Sequence, residues 1–286
     1  MNMLRVAQIR IVLVAILVVG ALGAGVGTTF GEFTDTETTE TNLGAAGAFE
    51  GDFPSSSAGY NDSNGNGRYD AGEQTYTKSE IRDFNEPSAD LVIPKSVGDI
   101  DDDNEPISIT AGSITSSVNL SSRNEGVHIT ATSGDANLGE LTLSSRNNGV
   151  DITATGAVSI DNAKLSSRNN DISIRAKSIS ARNADLWSRN NEILLSARQN
   201  GGGPIDAAGA RFETRNNRII LESSGDISLD SAQLYWKNKA PVANLGVSEA
   251  KLSVNRTILD ESGGTLTYAP DDITVQGTPD KGAVSP

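Results

Sequence analysis

The chain has 286 residues and a formal net charge of -14, with no cysteine, one histidine and 5% aromatic residues. These figures exclude disulfides, thiolate metal sites and any centre needing two imidazoles, and leave few rings for the stacking platforms of carbohydrate clefts or single-stranded nucleic acid binders. The acidity is uneven: residues 1–106 hold 6 basic and 18 acidic side chains, residues 107–258 hold 16 and 14, and residues 259–286 hold 1 and 5.

In chain order, Arg5 and Arg10 precede an unbroken apolar run, IVLVAILVVGALGAGVG, over residues 11–27. A basic start, an apolar stretch and then small residues read as an export signal. As a retained anchor the run is short of the ~20 residues a bilayer core needs, and its four glycines weaken a helix, which favours cleavage. The next segment, GTTFGEFTDTETTETN (27–42), resembles the export and cleavage region of the TasA/camelysin-type surface proteins, which depend on a dedicated SipW-like signal peptidase. The matching positions are Thr29, Phe30, Phe33, Thr34, Asp35 and Glu37; Gly31 stands where that family usually has Ala. The resemblance stops at residue 42, so it carries the address and not the fold. It implies an exported protein of the cell surface or matrix, from a group whose members often build fibres. The acidic balance, with 15 Arg against 8 Lys, suits a salt-rich, archaeal habitat and equally an ordinary secreted protein.

Residues 62–73, DSNGNGRYDAGE, place oxygen-bearing side chains at relative positions 1, 3, 5, 9 and 12: Asp62, Asn64, Asn66, Asp70 and Glu73. Gly67 occupies position 6, and the Arg68 carbonyl is available at 7. The spacing resembles the calcium loop of EF-hand and dockerin-like modules and implies a solitary structural calcium site. The acid cluster DIDDDNE (99–105) reads as solvated. TKSEIRDF (77–84) predicts one or two helical turns, placed to cover the open end of a block of repeats.

From Leu120 a hexapeptide recurs: LSSRNE, LSSRNN at 143 and at 165, LWSRNN at 186, FETRNN at 212, and a degenerate copy from Leu234. The spacings are 23, 22, 21, 26 and 22, with NGGGP (200–204) as the insertion. After each copy comes a short β-branched stretch with apolar residues at alternate positions, the signature of a strand with one buried face. A near-constant period of this length, two or three strands per repeat and no helical periodicity predict an all-β right-handed parallel β-helix of six to seven coils. Val127, Val150, Ile172, Ile193 and Ile219 then form one buried column. Ile129, Ile152, Ile174, Leu195 and Leu221 form the next, with Ala131, Ala154, Ala176 and Ala197 at a corner. The predicted organisation is a signal or anchor (1–31), an acidic cap region with the calcium loop (32–106), the repeat domain (107–268) and a disordered tail (269–286).

The repeated Asn suits a turn, because Asn tolerates a left-handed backbone and its amide can bond the equivalent amide one coil along. Asn124, Asn147, Asn169, Asn190, Asn216 and Asn238 are the expected ladder. The basic column beside it, Arg123, Arg146, Arg168, Arg189, Arg215 and Lys237, carries ~0.8 kcal/mol of repulsion per adjacent pair even in water. Neighbouring acids (Glu125, Asp151, Asp171, Glu192), salt, or a bound polyanion such as an acidic polysaccharide are the three ways to offset it. Asn119 and Asn255 are candidate glycosylation acceptors, and Asn61 a poorer one beside the calcium loop. His128, within a predicted strand, reads as structural, and the evenness of the repeats offers no catalytic cluster. The expected function is therefore a calcium-stabilised, non-enzymatic structural protein of the surface or matrix, filament-forming or adhesive. It self-associates or binds other surface proteins. The alternatives are a binding module for acidic polysaccharide along the Arg stripe, and a polysaccharide-active β-helix enzyme. Nucleic acid is not an expected partner.

Overall fold

The computed structural model describes residues 53–246, 249–270 and 273–286; the export signal and the segment resembling a cleavage region lie outside the described residues. The chain divides into two compact units, Met1–Pro54 with Arg68–Ala71, and Ser55–Gly67 with Gly72–Pro286. In the first, Phe53 meets Tyr69 edge-on with ring centroids 5.4 Å apart. The second unit holds the repeats.

That second unit is a parallel β-solenoid of about nine turns with ~22-residue spacing. A typical turn supplies three strands, Val150–Ala154, Ala157–Ser159 and Lys164–Ser167. Each pairs in parallel, residue for residue, with its equivalents in the turns before and after. Val150 lies opposite Val127 and Ile172, Val158 opposite Ala136 and Ile179, and Leu165 opposite Leu143 and Leu186. Because side chains alternate along a strand, each register position becomes a column of like residues. Both predicted valine/isoleucine columns are buried throughout, and so is the alanine corner. The second face adds columns that the repeats did not single out: Ala136, Val158, Ile179, Ile205, Ile227 and Leu252, then Leu138, Ile160, Ala181, Ala207, Leu229 and Val254. Each buried Val, Leu or Ile contributes roughly 1.5–3 kcal/mol.

The solenoid exceeds the expected six to seven coils. It begins at Asp83, ahead of residue 107, because Asp83–Ile93 already pairs in parallel with Ile107–Ser116. It also runs past residue 268. The tail expected to be disordered carries the strands Thr274–Gln276 and Ala283–Ser285, which pair with Lys251–Ser253 and Thr265–Ala269. These end turns lack the hexapeptide but keep the period-2 pattern, and backbone pairing with a preformed neighbour suffices to order them.

The N-terminal end is closed. Strand β1 (Gly59–Asn61) pairs antiparallel both with β2 (Thr75–Tyr76) and with β3 (Asp83–Ile93). Between β2 and β3 lies the helix α1 (Lys78–Arg82), which starts with a capping box: the Thr77 hydroxyl accepts from the Glu80 N–H, and Glu80 accepts from the Thr77 N–H. Its Ile81 is fully buried and packs over the first turns of the coil. Tyr76 meets Phe84 edge-on at 4.7 Å and donates its hydroxyl to Glu86 at 2.8 Å. Burial, reinforced by that carboxylate, pushes the Tyr76 phenol well above its usual range.

Candidate functional site

The third face of the coil is a separate eight-stranded sheet whose six inner strands carry the hexapeptide, and each letter of that motif has a separate task. In the copy at 143, Leu143 is buried in the core, Ser144 points outward and Ser145 points inward. The Ser145 hydroxyl donates to the Glu125 carbonyl at 2.8 Å, tying the strand to the turn of the preceding coil. Ser122, Ser167, Ser188 and Thr214 do the same toward the carbonyls of Glu105, Asn148, Asn170 and Asn191. The next residue, Arg146, is exposed, and Asn147 follows in the turn.

The amide side chains form a continuous ladder. Asn147 Nδ2 donates to Asn124 Oδ1 at 3.0 Å, and Asn169 to Asn147, Asn190 to Asn169, Asn216 to Asn190 and Asn238 to Asn216 follow at 2.8–3.1 Å. Asn104 extends it by one step, accepting from Asn124. Its signal was legible in DDDNE, an Asn after acids instead of after Arg. Outside this ladder Asn191 donates to Asn170 and Asn148 to Glu125, so the second Asn of the motif also bonds between coils.

The acids expected to neutralise the basic column do not. Glu125 accepts from Asn148, Asp151 stands 3.4 Å from His128 Nδ1, and Asp171 accepts the Glu192 N–H. All four lie past the corner, around the start of the next strand, and none forms an ion pair with the column. Glu192 is held above the usual carboxylate range by burial and by Asp171. Only Arg123 has an acidic neighbour, Asp103 at 3.7 Å. Among the described residues the side chains of Arg146, Arg168, Arg189, Arg215 and Lys237 make no hydrogen bond or ion pair. His128 is itself half exposed, and its imidazole is raised above 6.5, chiefly by Asp151.

Two clefts open on this face. The first, about 410 Å³, has Ser121, Ser144, Ser166 and Trp187 along it, with Arg123, Arg146 and Arg168 beside them and Asp101–Asp103 at one end. Residues i and i+2 of a strand share a face, so each serine stands next to the arginine of its own repeat. The second, about 340 Å³, lies farther along the coil. There Arg211 is already neutralised by Glu213 at 2.9 Å and Asp185 at 3.4 Å, and its guanidinium lies over Tyr235 at 5.1 Å.

In the loop 62–73, Asp62 is buried and acts as a pin: its carboxylate accepts the N–H groups of Asn66 at 3.1 Å and Gly67 at 2.6 Å. Asn64 also accepts from Asn66 N–H, and Glu73 accepts from Ser63 N–H at 3.3 Å. Gly65 and Gly67 have φ of 72° and 76°, which the tight turn requires. Asp62, Asn64, Asn66 and Glu73 belong to the second unit, Arg68 and Asp70 to the first. The described residues contain no group of three or more Asp, Glu or His side chains gathered as a metal ion would gather them.

Of the glycosylation candidates, Asn119 is committed to the fold, its amide donating to Asp99 at 3.1 Å and accepting from Thr142 N–H at 2.7 Å. Asn255 is exposed in a turn. No helix among the described residues is long and apolar enough to cross a membrane. Set against family models, curated proteins and solved structures, the chain matches none of them.

Proposed function

We propose that the chain is an exported, non-enzymatic structural protein of the cell surface or matrix, a stiff subunit that associates through its C-terminal end. The observation that carries this reading is the asymmetry of the coil's two ends. The N-terminal end is covered by β1, β2 and α1. At the other end, Thr274–Gln276 and Ala283–Ser285 each pair on one side only among the described residues. An open strand edge is a template for a second chain. The even repetition of the Asn ladder and the basic column supports a non-enzymatic role, since a catalytic site concentrates different groups at one place. Calcium belongs to the proposal as a ligand of the Asp62–Glu73 loop; the folding of that loop on the Asp62 carboxylate supports it.

Negative-stain electron microscopy of the chain from Glu32 onward, with calcium and with a chelator, tests the reading. End-to-end pairs, or filaments once the N-terminal cap opens, are expected, and their dependence on calcium would tie assembly to the loop. Single short rods in both conditions would overturn self-association.

A further inference from the structure

The unpaired part of the basic column lies beside a cleft, and the two together have the chemistry of a binding site. We propose that the cleft between Asp101 and Trp187 binds a linear acidic polysaccharide with a carboxylate on successive sugars, Arg146 and Arg168 taking the carboxylates and Trp187 a sugar face. This inference is independent of self-association, because the cleft lies on the side of the coil and the open strand edges at its end.

Four observations converge on that ligand. First, Arg146 and Arg168 make no ion pair or hydrogen bond among the described residues, although they stand one rung apart. Rungs repeat at about 4.8 Å, close to the length of one sugar in an extended chain, so successive carboxylates can meet successive guanidinium groups, a pairing Arg makes with two parallel bonds. Second, the outward hydroxyls of Ser121, Ser144 and Ser166 also make no hydrogen bond among the described residues, and line the cleft as a row of donors and acceptors. A polyhydroxylated chain can use them; a lipid or an apolar peptide cannot. Third, the same outward register position holds Trp187 in the next rung, half-buried, with a face large enough for a pyranose ring. Fourth, Asp101–Asp103 close the opposite end, where Asp103 engages Arg123 and Asp102 engages Arg82, which limits the anion-binding stretch to the rungs from Ser144 to Trp187. Single-stranded nucleic acid fits less well, because it stacks base after base on several rings and this cleft offers one. The net charge of -14 also repels long polyanions at a distance, so a short, regularly charged segment is favoured.

The test uses the full chain carrying Trp236→Phe, so that Trp187 is the sole tryptophan reporter. Oligogalacturonate is titrated against its fluorescence, with binding confirmed by calorimetry. Saturable binding is expected, weakening at least ~10-fold between about 50 and 500 mM salt. Arg146→Gln and Arg168→Gln each weaken it about tenfold and flatten the salt dependence, as loss of a charge-assisted bond predicts. Lys177→Gln, an exposed lysine outside the cleft, leaves it unchanged. Trp187→Ala, read by calorimetry, weakens binding without altering the salt slope. Arg146 and Lys177 are exposed and Arg168 and Trp187 half-buried, while Trp236 packs against the core, so circular dichroism verifies that the Trp236→Phe background and each variant are folded. No binding, equal binding by the Arg146→Gln/Arg168→Gln double variant, equal binding of a neutral oligosaccharide, or tighter binding of oligo-dT would each overturn the proposal.

Discussion

At Ser167 and Asn169, two residues apart in one repeat, the same kind of bond has different worth. The Ser167 hydroxyl is fully buried and donates to the Asn148 and Asn170 carbonyls at 3.2 and 2.6 Å. Removing it leaves buried carbonyls without that donor, a loss of about 1–3 kcal/mol. Asn169 is exposed and makes two ladder bonds of 3.0 Å, to Asn147 and from Asn190, that water can replace. Ser167→Ala is therefore expected to lower the urea midpoint more than Asn169→Ala, which should lose about 1 kcal/mol; the reverse order would show that the ladder outweighs the buried hydroxyls. The single histidine gives a second, clean readout. Asp151 raises the His128 pKa above 6.5, so the stability this pair contributes is fully present below pH 6.5 and is lost as pH rises through the raised folded value. Proton NMR titration should show Asp151→Asn moving the His128 midpoint down, and an unmoved midpoint would mean that another group sets it.

At the scale of the element, the turns decide the coil as much as the strands. After the second face, each of six successive turns places one residue in the left-handed region: Glu140, Asn162, Asn183, Gly209, Ser231 and Arg256, with φ between 55° and 72°. For residues other than Gly and Asn this costs roughly 1–2 kcal/mol, because Cβ approaches the following carbonyl. Replacing Glu140 by Gly relieves that strain and loses ~0.5–1 kcal/mol of chain entropy, so the melting temperature should hold or rise. Asn162→Val puts a β-branched residue at the same corner and should lower it by several degrees. If both behave alike, the corner is not under backbone strain. The other corner, that of Asn124 to Asn238, holds its chain by the amide ladder without needing a positive φ.

Across the whole repeat unit, stability is a sum of turns and their interfaces, and the ends are the weak places. Ile81, fully buried beneath α1, fastens the N-terminal cap over the coil. A carboxylate there would sit unpaired in an apolar setting and should detach the cap rather than unfold the coil. Ile81→Asp is thus expected to keep its far-ultraviolet circular dichroism while sedimenting as longer assemblies, because both ends then offer open edges. A monomer with only a lower melting temperature would deny the cap this role.

Repeat length, strand periodicity and the buried columns of the first face were determined by the sequence alone, because a solenoid stacks like on like and a local pattern becomes a global one; the columns of the second face were not singled out by the repeats. The ladder positions followed from the same repetition. Three matters were decided only in three dimensions. The end turns at Asp83 and beyond residue 268 are ordered by pairing with a neighbour, which leaves no repeat motif to read. Glu125, Asp151, Asp171 and Glu192 are close to the arginines in sequence but lie past the corner, so charges two to five residues apart form no ion pair. Ser144, Ser166 and Trp187 share a cleft because the parallel register brings residues some twenty apart to adjacent rungs. Sequence distance measures neither of these, since a coil separates neighbours along the chain and joins residues one period apart.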